Sequence, residues 1–232
     1  MASCPFRTLR GTIDMLNRLQ RQLSDTYQAY SGYDVRDFLI TDARVARALS
    51  NDSVLTAGGE TLLVQEDEQG LAMSLYLEAE ILERLETADP LQALKAEQLD
   101  DFCKVIEGLS HFNYVAWRAS RDHSVSLLEL ELQAEVDKFV STMQLALDQQ
   151  DNELINGLYA RLFNDVVLQD NLDDAQVERY QAATDYAARF CRALRRQMLR
   201  GVDATLEDLR RFYRLSLTDK ISHIHMHALS AG

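Results

Sequence analysis

Ser124–Gln150, SVSLLELELQAEVDKFVSTMQLALDQQ, is the stretch whose reading decides the fold. Val125, Leu128, Leu132, Val136, Phe139, Met143 and Leu147 recur three or four residues apart, which puts them in one stripe along a helix. Leu127, Leu130 and Ala134 make a shorter stripe on the opposite side of its first half. A helix apolar on two sides leaves no face for water, so the segment reads as the central helix of a bundle.

Helical spacing continues on either side. Leu99, Phe102, Ile106, Leu109 and Trp117 share a stripe of a helix from about Glu97 to Arg118. Asp151 caps a helix through Leu168, and Asp173 opens a long one carrying Val177, Tyr180, Ala187, Cys191, Leu194 and Met198, which Gly201 ends. Thr205, with Asp208 three residues on, reads as a capping box that opens the last helix. Near the N-terminus, Ile13, Leu16, Leu19, Leu23, Tyr27 and Tyr30 give a helix from Thr12 to Tyr30, with Ser31-Gly32 as its stop. Leu9, Leu16, Leu23 and Tyr30 also repeat every seven residues, which leaves a homodimer seam open.

Residues 33–77 have a different texture. Thr41-Asp42 caps a helix through Leu49. Gly58-Gly59 then separates Val54–Ala57 from Glu60–Gln65, and Asp67–Gly70 separates that run from Leu71–Leu77. Tight-turn signals between apolar runs predict a three-stranded antiparallel meander. Glu78–Thr87 is a short helix that stops before Asp89-Pro90. The expectation is a mainly α protein: a helical bundle around a long central helix, with a small antiparallel β-meander in the first third. It is read as one domain over 1–232, a mixed α/β portion (1–90) packed on a helical body (91–229).

The 232 residues can bury a substantial core, and 47% apolar with 26% charged is ordinary for a soluble globular protein. Nine Gly and two Pro favour helices over a turn-rich β fold. A formal charge of −13 repels a phosphate backbone, so nucleic acid is a disfavoured partner. Cys4, Cys103 and Cys191 are far apart and contain no CxxC pair, which fits a reducing compartment. The opening MASCPFRTLRGTIDML lacks the apolar core of a signal peptide, and no run is long enough to span a membrane. A cytoplasmic location follows as the expectation, with no membrane partner.

Phosphate-loop, dinucleotide, zincin and serine-hydrolase motifs are absent. Three features stand out instead. Glu129 and Glu135 flank the apolar stripe of the central helix, where a carboxylate needs a cation partner. Arg residues or a metal would serve, with Glu107 and His111 on the preceding helix as further ligands, although the Glu-x-x-His spacing of di-iron bundles is missing. His223 and His227, four apart around His225, have a workable ligand spacing near the C-terminus. Arg189, Arg192, Arg196 and Arg200 form a ladder at i, i+3, i+7 and i+11, followed by Arg211 and Arg214 on the next helix. Ion pairing inside the fold and complementarity to the helix dipole explain such features without any site.

The preferred expectation is a non-catalytic adaptor or regulatory protein that binds an acidic protein partner through the Arg-rich helix pair. No cofactor or bound metal is expected. The alternative is a metal-binding or hydrolytic enzyme using Glu129, Glu135 and His111, with His223 and His227 as the further metal candidates.

Overall fold

The computed structural model describes residues 5–50, 59–67, 70–164, 173–201 and 203–230; within these, the side chains of 5–10, 67, 203–204 and 227–230 are not described. The chain is mainly α with a small sheet. It divides into two compact units, Met1–Ser24 with Tyr30–Asp122, and Asp25–Ala29 with His123–Gly232. No described helix is long and apolar enough to cross a membrane.

The first unit is built on β1 (Leu39–Ile40), β2 (Glu60–Asp67) and β3 (Gly70–Leu77) in the order β1-β3-β2. β2 and β3 form the expected antiparallel hairpin, with Leu62 opposite Leu75 and Asp67 opposite Gly70. The third strand differs from the expected meander. It is Leu39–Ile40, and it runs parallel to β3, with Leu39 opposite Leu75. Two residues show no period, and a parallel neighbour needs no turn signal beside it, so the sequence pattern could not reveal this pairing. Val54–Ala57, the strand expected there, lies outside the described residues.

Helix α1 (Pro5–Tyr27) starts seven residues before Thr12, with Pro at its first position, where the missing N–H costs nothing. It stops at Tyr27 because Gln28 adopts φ +47°, so Tyr30 falls outside the helix and is exposed. Helices α2 (Ala43–Leu49) and α3 (Ala79–Thr87) follow; the Asp42 carboxylate caps the first as the sequence implies. Helix α4 (Leu99–Ala119) packs on β2 and β3. Gly108 permits that approach: a Cβ there would stand 3.0 Å from Leu75 Cδ1 and 3.2 Å from Leu77 Cδ2. α4 therefore belongs with the sheet, in the unit that runs to Asp122. Gln20 fastens this unit, donating to Asn113 Oδ1 and to the Tyr33 carbonyl, each at 3.0 Å, and accepting from Val35 N at 3.1 Å.

The second unit surrounds α5 (Leu127–Asp148), the central helix of the sequence reading. α6 (Asn152–Phe163) and α7 (Asp174–Met198) pack on it, and α8 (Asp203–Arg214) and α9 (Leu217–Ser230) pack on α7. Leu132, Val136, Phe139 and Met143 are buried as the stripe requires. The second stripe holds only in part: Ala134 is buried, but Leu127 is 54% exposed. The burial that the sequence assigned to that stripe goes instead to polar residues, Gln133, Asp137, Ser141 and Thr142. α7 is capped by Asp173 in a full capping box with Gln176. α8 begins at Asp203, so Thr205 is a buried first-turn residue and not the N-cap. A break at Leu215-Ser216 makes two helices of the expected last one, and Ser216 and Asp219 bond reciprocally at the restart.

Candidate functional site

Helix α7 buries Ala183, Ala187, Phe190, Cys191, Leu194 and Met198. At 100° per residue, Arg189, Arg192 and Arg196 fall on the face roughly opposite that stripe; Arg200 lies two residues past the end of α7, and all four are exposed. From Tyr186 to Val202 the chain carries five Arg and no carboxylate. Among the described residues, no ion pair joins Arg189, Arg192 or Arg200 to an acidic side chain. Aromatic rings support two of them: Arg192 lies 5.6 Å from the centroid of Tyr159, whose hydroxyl is 3.3 Å from its Nε, and Arg189 lies 5.8 Å from that of Tyr186. Half-buried Arg195, beside the ladder, reaches Asn156 Oδ1 at 3.4 Å. Complementarity to the helix dipole acts near the helix end, so it accounts for Arg195 and Arg196 in the last turn and Arg200 just past it, but not for Arg189 and Arg192.

The two Arg on α8 play different parts. Arg211 is exposed. Arg214 is also accessible, but its guanidinium donates to the carbonyls of Tyr27 and Gln28, each at 3.0 Å. Arg210 donates to the Thr26 carbonyl at 3.2 Å. Together they satisfy the carbonyls that α1 leaves open at its end, a structural task.

Of the carboxylate and histidine candidates, Glu107 and His111 on α4 bring ligand atoms within 4.8 Å of one another, and the others sit elsewhere. Glu129 is buried in the first turn of α5, where the helix dipole favours an acid. Glu135 is half-buried and accepts from Lys138 Nζ at 2.7 Å. His111 belongs to α4 of the first unit, buried, with its Nδ1 3.8 Å from Glu60 Oε2; half-buried Glu107 lies one turn before it. His223 is buried, its Nε2 2.9 Å from Asp208 Oδ1 and its ring against Phe190 and Phe212. His225 is exposed beside Tyr186, and the side chain of His227 lies outside the described set. Among the described residues, no group of metal-ligating side chains includes Glu129, Glu135 or His223.

Sequence reasoning missed a buried polar chain in the second unit. Lys220 Nζ donates to Gln133 Oε1 at 2.5 Å and stands 4.3 Å from the Phe212 ring centroid. Gln133 Nε2 donates to Asp137 Oδ1 at 2.9 Å, and the Tyr27 hydroxyl donates to the same oxygen. Tyr27 also stacks on Tyr213 at 4.3 Å. Burial, then the Asp137 charge and hydrogen bond, push the Tyr27 phenol well above its ordinary pKa. Burial likewise raises the Cys191 thiol, with help from Glu135 and Asp137, so this cysteine stays protonated and unreactive. With Lys220 and Gln133 at 0% exposure and Asp137 at 1%, these groups reach no substrate. One signal was present: Lys220 precedes His223 and Ile224 by three and four residues, so it shares their buried face.

Compared with known proteins, the chain matches no family model, no curated protein and no solved structure. The surface feature that stands out chemically is the outward row of guanidinium groups on α7.

Proposed function

We propose that the protein is a non-catalytic adaptor or regulatory protein that recognises an acidic protein partner through Arg189, Arg192 and Arg196 on α7, Arg200 just past its end, and exposed Arg211 on α8. The observation that supports this is the exposure of all four Arg of the ladder, three of them on the α7 face opposite the buried stripe. Arg suits the task because its planar fork binds carboxylates with two parallel hydrogen bonds. Arg214, occupied by the carbonyls of Tyr27 and Gln28, stands outside the binding set.

Magnitudes define the role of the charges. An exposed ion pair contributes about 0.2–1 kcal/mol, so four of them give roughly 1–4 kcal/mol. Association costs about 4–15 kcal/mol in lost translational and rotational freedom. The ladder therefore steers and selects, and an apolar contact must complete the binding.

The test is binding of poly-L-glutamate by Arg196→Glu/Arg211→Glu. Wild type should bind at about 0.1 M salt and release near 1 M, as the screening length falls from about 10 Å to about 3 Å. The double reversal should abolish binding with its melting midpoint almost unmoved. Loss of several kcal/mol of stability would mean that these guanidinium groups serve the fold, and would sink the reading.

A further inference from the structure

We infer that the partner lies along α7 as a helix, antiparallel to it, with its carboxylates on the Arg ladder and an apolar side chain on Leu199. This rests on the reading of the ladder as the binding face, and it adds the conformation, register and anchor of what binds there.

The first argument is spacing. Arg189 to Arg196 spans seven residues, about 10 Å of the α7 axis, and Arg200 follows just past the helix end. Another helix repeats carboxylates at the same intervals on one face. An extended acidic segment presents same-side groups about 7 Å apart and falls out of step with the ladder. The ladder is also set in place before binding. Arg189 and Arg192 rest against the rings of Tyr186 and Tyr159, which favours a partner whose own charges hold a fixed pitch.

The second argument is the boundary of the charge. Asp185 is exposed and precedes Arg189 by one turn on the same face, so the strip reads one negative position followed by four positive ones. It ends at Gly201, where φ is +144°. A phosphate polymer continuing past Arg189 would meet Asp185, and a chain of formal charge −13 around it. A helix answers the strip with four acidic residues and one basic residue. The antiparallel direction puts the partner's first-turn carboxylate, favoured there by its own dipole, opposite Arg200.

Leu199 supplies the anchor. It is 49% exposed, three residues after Arg196 and four after Arg195, so it flanks the ladder near its end. An apolar residue in the first turn of the partner would cover it.

The probe is a labelled Ala-rich helical peptide whose Glu residues follow the ladder's intervals, with Lys at the position facing Asp185 and Leu in its first turn. Wild type should bind it roughly tenfold more tightly than a peptide of the same composition broken by a central Pro. Leu199→Gln should weaken the helical peptide and leave poly-L-glutamate binding unchanged. Asp185→Lys should weaken it as well, and a peptide with Glu in place of its Lys should recover the loss. Equal binding of helical and Pro-broken peptides, or absence of the charge-swap recovery, overturns the helical partner while the anion-binding ladder stands. Tighter binding of single-stranded oligo-dT than of either peptide overturns the protein partner. Failure of every anionic probe at low salt overturns the ladder as a binding face, and this inference with it.

Discussion

In the first unit Asp34 and Asp42 sit at the starts of short helical turns, each accepting from a backbone N–H two residues on and from the Arg that carries it. In the second unit Asp137 is buried in the middle of a long helix, accepting from Gln133 and Tyr27. The first pattern is local and solvated, and a few residues of sequence specify it. The second joins α5, α9 and the Asp25–Ala29 segment, and only a completed fold can satisfy it. The first unit does bury polar side chains, Gln20 with Asn113 and His111 near Glu60, but these are separate pairs, whereas the second unit links four side chains in one run. Both units use caps and buried joins; what sets the second apart is one continuous buried chain from Lys220 through Gln133 and Asp137 to Tyr27.

The sharpest way to break this contrast is to cut the chain at Asp137. Asp137→Ala strands the Tyr27 hydroxyl and the Gln133 amide and leaves Lys220 without its bridged counter-charge, at an expected cost of about 3–5 kcal/mol. Replacing the whole chain at once, Asp137→Leu with Lys220→Met, Gln133→Leu and Tyr27→Phe, should recover most of that loss, because no member of the chain is then left without its partner. Urea unfolding that shows Asp137→Ala within experimental error of wild type would remove the cross-link from the account.

A smaller effect is expected in the first unit, where packing rather than charge sets the tolerance. Gly108→Ala should cost about 1–3 kcal/mol by overpacking, since the new methyl meets Leu75 and Leu77. Trp117, the only Trp in the chain, lies in this unit and reports on it by fluorescence. A variant as stable as wild type, with the Trp117 transition unmoved, would show that α4 can lift off the sheet freely.

The smallest effects come from pH, and the two units should fail at opposite ends. Tyr27 has its folded pKa raised above 10.0, so its contribution is present below pH 10 and is lost as pH rises further. Asp42 has its folded pKa lowered from 3.8 to about 2 by Arg44, so its contribution is present above pH 4 and fades as pH falls towards 2. Tyrosinate absorbance should show buried phenols ionising only with unfolding in alkali, and Tyr27→Phe should lower that phase by one phenol. Acid titration followed by Trp117 should shift slightly upward in Asp42→Ala. If both units lose structure at the same alkaline pH in the Tyr27→Phe variant, the assignment fails.

What the sequence could show follows the same division. The spans of α3, α4, α5 and α7 were readable because apolar periodicity and caps are local, as were Asp42, Asp151 and Asp173 as N-caps. The β2–β3 hairpin was readable from its turn. The parallel partner Leu39–Ile40 was not, because a two-residue strand has no period. The ladder was legible as a pattern, but whether it faced outward depended on which side of α7 the core took. The Lys220–Gln133–Asp137–Tyr27 chain joins residues up to 110 apart in sequence, and nothing local marks Gln133 as a bridge. The division between α8 and α9 was missed although Ser216 and Asp219 had the residue types and spacing of a start signal.

The clasp of Arg210 and Arg214 on the end of α1 imposes an order on synthesis. The carbonyls of Thr26 and Tyr27 leave the ribosome 184 and 187 residues ahead of the guanidinium groups that bind them. At about 5–20 residues per second that interval lasts roughly 10–40 s, a period in which the turn must keep water for company. The first unit closes from contiguous chain once Asp122 has emerged, except for this short excursion. The second has no such freedom: its earliest residues wait for nearly its last, and closing so long a loop is the entropic step that its final helices must overcome.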